Sequence, residues 1–254
     1  MAAWSRVSLG DLFTLANGVL GFVAITYILD KDFLGATTLL FLSMITDGLD
    51  GFIARRYGSK HSRGQVLDSI SDSISFVFAP ALLLYAEFRT HGNDLQGVLT
   101  LIVAIAFLAT GLFRLARFSA GGYQLRYFVG MPAPAGALVL VLLCLLFGAT
   151  QSERPERYFG LAESPALVLV FGILVSYLMA SEINYPKPRG ALSAASGLAI
   201  ILAILPALLR LAFVDDQSLY TAFSRTATSI ALAMTLVYVF GGPLYERHER
   251  TKSE

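Results

Sequence analysis

With 254 residues, 56% hydrophobic and 15% charged, the chain falls well short of the roughly 25% charged residues of a soluble domain. The formal net charge of +1 is uninformative by itself, and no basic run suggests nucleic acid as a partner. One cysteine, Cys144, excludes an intramolecular disulfide and reads as a buried thiol in the apolar run LVLVLLCLLFG.

In chain order, MAAWSRVSLGD is too short and polar for a cleavable leader, and its Trp4 and Arg6 suit a membrane interface. Apolar runs near the roughly 20 residues that cross a bilayer then recur throughout. They predict eight spanning helices: Leu12–Leu29, Phe33–Tyr57, Gln65–Glu87, Leu95–Phe118, Pro132–Ala149, Pro165–Ala180, Ala191–Leu211 and Leu219–Phe240. Gly58 to Arg63 is read as a turn, and Pro80 as a kink in the third helix. Pro132, Pro134 and Gly136 fit a helix start or a lipid-tail entrance. No repeat or long linker divides the chain. The expected fold is therefore all-α, a polytopic integral-membrane bundle forming one domain over 1–254.

Lysine and arginine set the expected orientation. With the turn after the second helix placed in the cytoplasm, thirteen of the 19 basic residues fall on that side and six on the other. This predicts a multi-pass protein of the cell membrane with both termini in the cytoplasm.

Four aspartates stand out against this apolar background. Asp47 and Asp50 are three apart, Asp68 and Asp72 four apart, so each pair shares one helix face. A carboxylate at the bilayer centre costs about 2.5 kcal/mol or more, so a cluster calls for a cation or a water-filled site. An all-oxygen donor set suits Mg²⁺, Mn²⁺ or Ca²⁺, while His61, His91 and His248 are scattered among loops. Two such ions roughly 3.5–4 Å apart could clamp a phosphate or pyrophosphate. Gly48, Gly51 and Gly64 would let a bulky ligand approach the backbone, and Arg55 offers a fixed charge to a phosphate. The bland alternative is that these carboxylates mark solvated helix ends. No GxxxxGK[ST] loop and no nucleophile elbow occur.

Written as a pattern, the stretch from Asp47 to Asp72 is D-G-x-D-G-x2-A-R-x8-G-x3-D-x3-D. It resembles the motif of the CDP-alcohol phosphotransferase family, membrane enzymes that make phospholipids from CDP-linked lipids. The resemblance implies at least six transmembrane helices, often in a homodimer, and an active site open to the cytoplasm. It implies two divalent ions, Mg²⁺ or Mn²⁺ with Ca²⁺ possible, among Asp47, Asp50, Asp68 and Asp72, with Asp72 as general base. Gly48, Asp50, Gly51, Ala54, Arg55 and Gly64 would line the CDP pocket. Thr14 and Asn17 on the first helix would either touch the nucleotide or serve as hydrogen-bonded packing residues.

Further stretches resemble the phosphatidylserine synthase branch: LFTLANGVLGF, LDSISDSISFVFAPALLLY, GLFRLARFSAGG, FVGMPAPAG and LMASEINYPK. This implies CDP-diacylglycerol or CDP-archaeol as donor, L-serine as acceptor and CMP as leaving group, within a membrane-lipid environment. Ser119, Glu182 and Asn184 depart from that branch's usual residues. Arg114 and Arg117, three apart, are candidates for the serine carboxylate, the alternative being ordinary helix-end anchors. Lys187 and Arg189 read as topology determinants or headgroup contacts. Two other readings stand: a sibling enzyme using glycerol phosphate, inositol phosphate or another alcohol, and a cation transporter with an intramembrane acidic site.

Overall fold

The computed structural model describes residues 8–57, 62–89, 94–121, 127–148, 164–187, 191–212 and 217–253, with backbone alone at 50, 52–57, 62, 63, 191, 193, 210–212, 217 and 248–253. The described elements are α1 (Leu9–Leu29), α2 (Phe33–Tyr57), α3 (Ser62–Asp72), a π-helical stretch (Ser73–Phe78), α4 (Ala79–Phe88), α5 (Leu95–Ser119), β1 (Tyr127–Val129), α6 (Ala133–Phe147), α7 (Pro165–Ala180), β2 (Asn184–Pro186), α8 (Ala191–Ala212) and α9 (Gln217–Ser253). It is an all-α membrane protein. Four helical stretches, Leu9–Leu29, Gly64–Phe88, Leu95–Ser119 and Ser218–Arg247, are long and apolar enough to cross a bilayer. Four further apolar helices are shorter, among them Ala133–Phe147 and Pro165–Ala180.

Local chemistry fixes the helix ends. Ser8 and Asp11 form a reciprocal cap at the start of α1, with Ser8 N–H donating to Asp11 Oδ2 at 2.9 Å and Asp11 N–H donating to Ser8 Oγ at 3.1 Å. Lys31, in the left-handed region at φ 58, turns the chain, and Asp32 Oδ1 accepts from Gly35 N–H to begin α2. Asp94 caps α5 in the same way through Gly97 N–H. α6 is apolar on every side, and 12 of its residues are buried, so it forms the central post of the bundle.

Two features depart from the expectation. The third predicted helix is continuous, but its distortion lies ahead of Pro80, where Ser73–Phe78 widens into a π-helix. Pro80 lacks an N–H and its ring would crowd the Phe76 carbonyl four residues back, and a widened turn relieves both problems. The second departure is a two-stranded antiparallel ribbon, β1 with β2, pairing Tyr127 with Pro186, Phe128 with Tyr185 and Val129 with Asn184. Gly130 closes β1 at φ +77, where a Cβ would meet the Arg117 guanidinium and the Met179 carbonyl. The turn read at 58–63 lies largely outside the described residues.

α1 docks on α3 and the π stretch with its backbone very close. A Cβ on Gly18 would come within 3.0 Å of Ser71 Oγ, and one on Gly21 within 2.8 Å of Ser75 Cα. Small residues facing each other in this way are the means by which membrane helices approach without a hydrophobic driving force. Gly21→Val should therefore destabilise the detergent-solubilised protein by about 1–3 kcal/mol. Gly48→Ala, where an added Cβ meets nothing within 4 Å, should leave the melting temperature unchanged or slightly raised in the same thermal-shift measurement.

Candidate active site

α2 carries Asp47 toward the face where α3 presents Asp68 and Asp72 on successive turns. One carboxylate oxygen from each lies within 4.8 Å of the other two. Asp47 and Asp68 are partly buried and Asp72 is only 9% exposed. Three carboxylates so close repel one another strongly in a low-dielectric setting. The separation is also about what opposed oxygen ligands of one hard divalent ion span. The donor set is oxygen alone, so the residues fit Mg²⁺, Mn²⁺ or Ca²⁺. Among the described residues this is the single group with such convergence.

Asp72 is held from α1. Asn17, fully buried, donates from Nδ2 to Asp72 Oδ1 at 3.0 Å, and its own carbonyl accepts from Ser75 Oγ at 2.8 Å. Asn17 therefore sits beneath the carboxylate and orients it. Its Oδ1 is buried without a hydrogen-bond partner among the described residues. Thr14, one turn earlier on α1, is also buried and donates to the Gly10 carbonyl at 3.0 Å. Gly64 lies where a Cβ would come within 3.1 Å of Asp11 Oδ1, while Gly48 is exposed and faces open space. Gly51 is partly buried on α2. The side chains of Asp50, Ala54 and Arg55 lie outside the described residues.

The end of α5 borders this cluster. Ser69, beside Asp68, shares a 2.5 Å hydrogen bond with Ser119 Oγ. The two arginines paired in the sequence reading do different things. Arg117 Nη2 donates to the carbonyls of Val129 at 2.6 Å, Ser181 at 3.1 Å and Met179 at 3.3 Å, tying α5 to β1 and to the end of α7. Arg114 is 4% exposed, with its guanidinium 5.1 Å from the Phe118 ring centre and 5.4 Å from that of Phe128. Lys187 Nζ approaches the same rings at 5.7 and 5.2 Å. Two cations thus share one pair of aromatic rings, whose faces attract each charge. The sequence offers Lys187 as a topology determinant or headgroup contact, and its place in this cluster depends on the ribbon. Its proximity to Phe128 follows from strand pairing and carries no local pattern.

The bundle and its carboxylates define an α-helical integral-membrane protein with an acidic cluster that could hold a hard cation. The chain belongs to the CDP-alcohol phosphatidyltransferase family, whose profile matches residues 7–178. It is 38% identical over 181 residues to the CDP-diacylglycerol–serine O-phosphatidyltransferase of Methanocaldococcus jannaschii, covering 71% of this chain and 75% of that protein. The enzyme of the same name from Helicobacter pylori is 36% identical over 179 residues, covering 70% and 71%. The archaetidylserine synthase of Methanothermobacter thermautotrophicus is 32% identical over 191 residues, covering 73% and 72%.

Two outcomes follow from the geometry. Asp68→Asn should weaken Mn²⁺ binding, measured calorimetrically on solubilised protein, by more than about ten-fold. Asn17→Leu should leave Mn²⁺ stoichiometry unchanged while lowering kcat by about ten- to hundred-fold, because Asp72 loses its orienting donor.

Proposed function

We propose that the protein transfers the phosphatidyl or archaetidyl group of a CDP-linked lipid to the hydroxyl of L-serine and releases CMP. The observation that carries this reading is the meeting of Asp47, Asp68 and Asp72 within 4.8 Å on the aspartate–glycine motif. The names of the relatives support serine as the acceptor. Family membership sets aside the transporter alternative, since the motif serves group transfer.

In the proposed reaction the serine hydroxyl oxygen forms a bond to the lipid-bearing phosphorus while the bond from that phosphorus to the CMP oxygen breaks. Asp72 accepts the hydroxyl proton, and CMP carries away the bonding electron pair. Asp47, Asp50, Asp68 and Asp72 would hold two divalent ions, Mg²⁺ or Mn²⁺, which when bound neutralise charge on the pyrophosphate and the departing CMP. The remaining work belongs to positioning. Asn17 fixes one oxygen of Asp72, leaving the other oriented toward the site. Gly48, Gly51 and Gly64 keep side-chain bulk away from the CDP moiety, and Ala54 and Arg55 line it, with Arg55 offering charge to a phosphate. Thr14, buried one turn from Asn17 on α1, is proposed to serve the CDP side by contact with the nucleotide or by packing beside Asn17.

The acceptor is proposed to lie against Arg114 and Lys187. A serine carboxylate placed there would lie near the end of α5, where Ser119 bonds Ser69 next to Asp68. Arg117, with three carbonyls around Nη2, keeps that wall in place. The chain is proposed to form one domain crossing the cell membrane eight times, the four shorter apolar helices included, with the aspartates facing the cytoplasm. The excess of thirteen basic residues over six supports that orientation.

The test is CMP release by purified protein supplied with CDP-diacylglycerol or CDP-archaeol and a panel of acceptors. Serine-dependent release is expected, and release only with glycerol phosphate or inositol phosphate would overturn the choice of acceptor. Asp72→Asn should keep CDP-lipid binding while turnover falls by about 10²–10⁴-fold.

A further inference from the structure

The ribbon that carries Phe128 and leads into Lys187 is small. Each strand has three residues, and a two-stranded ribbon of this size is marginal alone. Pro186, in β2, also brings no N–H to the pairing. The ribbon is therefore held from outside, and from two directions. On one side is Arg117, already described. On the other is α9, which lies beyond the segment, residues 7–178, that matches the family.

α9 meets β2 through one face. Tyr238 Oη donates to the Pro186 carbonyl at 3.1 Å. The Tyr238 and Tyr185 rings lie 6.0 Å apart at 42°. One turn further along α9, Gly242 lets the helix close on the strand: a Cβ there would stand 3.2 Å from Pro186 Cδ and 3.7 Å from Tyr185 Cδ1. Tyr185 is fully buried, so the strand has no solvent side on which to shift. The residue directly after Pro186 is Lys187, whose ammonium faces the rings shared with Arg114.

We infer that Tyr238 is a positioning residue for the acceptor side of the active site, acting through the Pro186 backbone on Lys187, and that α9, itself outside the family-matched segment, braces a pocket whose Arg114, Phe118 and Phe128 lie within it. This rests on the acceptor reading given above. Among the described residues, the contacts of Tyr238 and Gly242 reach β2 rather than the donor side built from α1, α2 and α3. The brace therefore bears on one substrate and leaves the other alone, which a general loss of packing would not do.

Steady-state kinetics of Tyr238→Phe separate the two cases. KM for the acceptor should rise by about two- to ten-fold, the loss of one hydrogen bond, while KM for the CDP-lipid and the half-saturating Mn²⁺ concentration stay unchanged. Gly242→Ala, which presses on Pro186, should move the same constant in the same direction. Tyr245→Phe, on an exposed part of α9, is the control and should change neither. Equal changes in both KM values, or a fall in kcat and melting temperature with both KM values intact, would overturn the inference. If Tyr238→Phe does not fold, Gly242→Ala alone decides by the same split. Wild-type release with serine tests the acceptor reading separately. Should another alcohol prove to be the acceptor, the KM shift is measured with that alcohol, so the two failures remain distinct.

Discussion

Three carboxylates held within 4.8 Å, one of them nearly buried, are the constraint around which the bundle is arranged. Left to themselves, α2 and α3 would part to relieve the repulsion. They are kept together by α1, which packs on both and whose Gly18 and Gly21 bring its backbone against Ser71 of α3 and Ser75 of the π-helical stretch. The same contact carries Asn17 under Asp72. Close packing and orientation of the reactive carboxylate are one feature, so enlarging either glycine would disturb both.

The π-helical stretch belongs to this arrangement. It begins at the residue after Asp72 and contains Ser75, whose hydroxyl reaches back to the Asn17 carbonyl. An added residue per turn rotates the downstream helix relative to the upstream one. The aspartates can thus face the polar end of the bundle while Phe76, Val77, Leu83 and Leu84 go into the core. One helix serves two environments without a break.

Much of this was legible in the chain. The spacing of the aspartates fixes which helix faces they share, and α2 runs over Phe33–Tyr57 as its apolar pattern requires. Helical periodicity is strong over such lengths, and a carboxylate in an apolar chain is conspicuous. What was not legible depends on partners distant in sequence. The roles of Arg114 and Arg117 diverge because one meets aromatic rings and the other main-chain carbonyls, and carbonyls leave no trace in a sequence. The ribbon strands are too short to show alternation. Pro80 signalled a distortion, but the chain relieved it a turn earlier. Tyr238 stands as one aromatic among others in an apolar run, TLVYVFGG.

The three carbonyls gathered around Arg117 Nη2 bear on the path of the lipid tails. Nη2 shares two hydrogens among the three carbonyls, and hydrogen bonds from a charged donor are worth about 1.5–3 kcal/mol each, so parting the ends of α5 and α7 to admit an acyl or isoprenoid chain would be costly. That seam is closed to traffic.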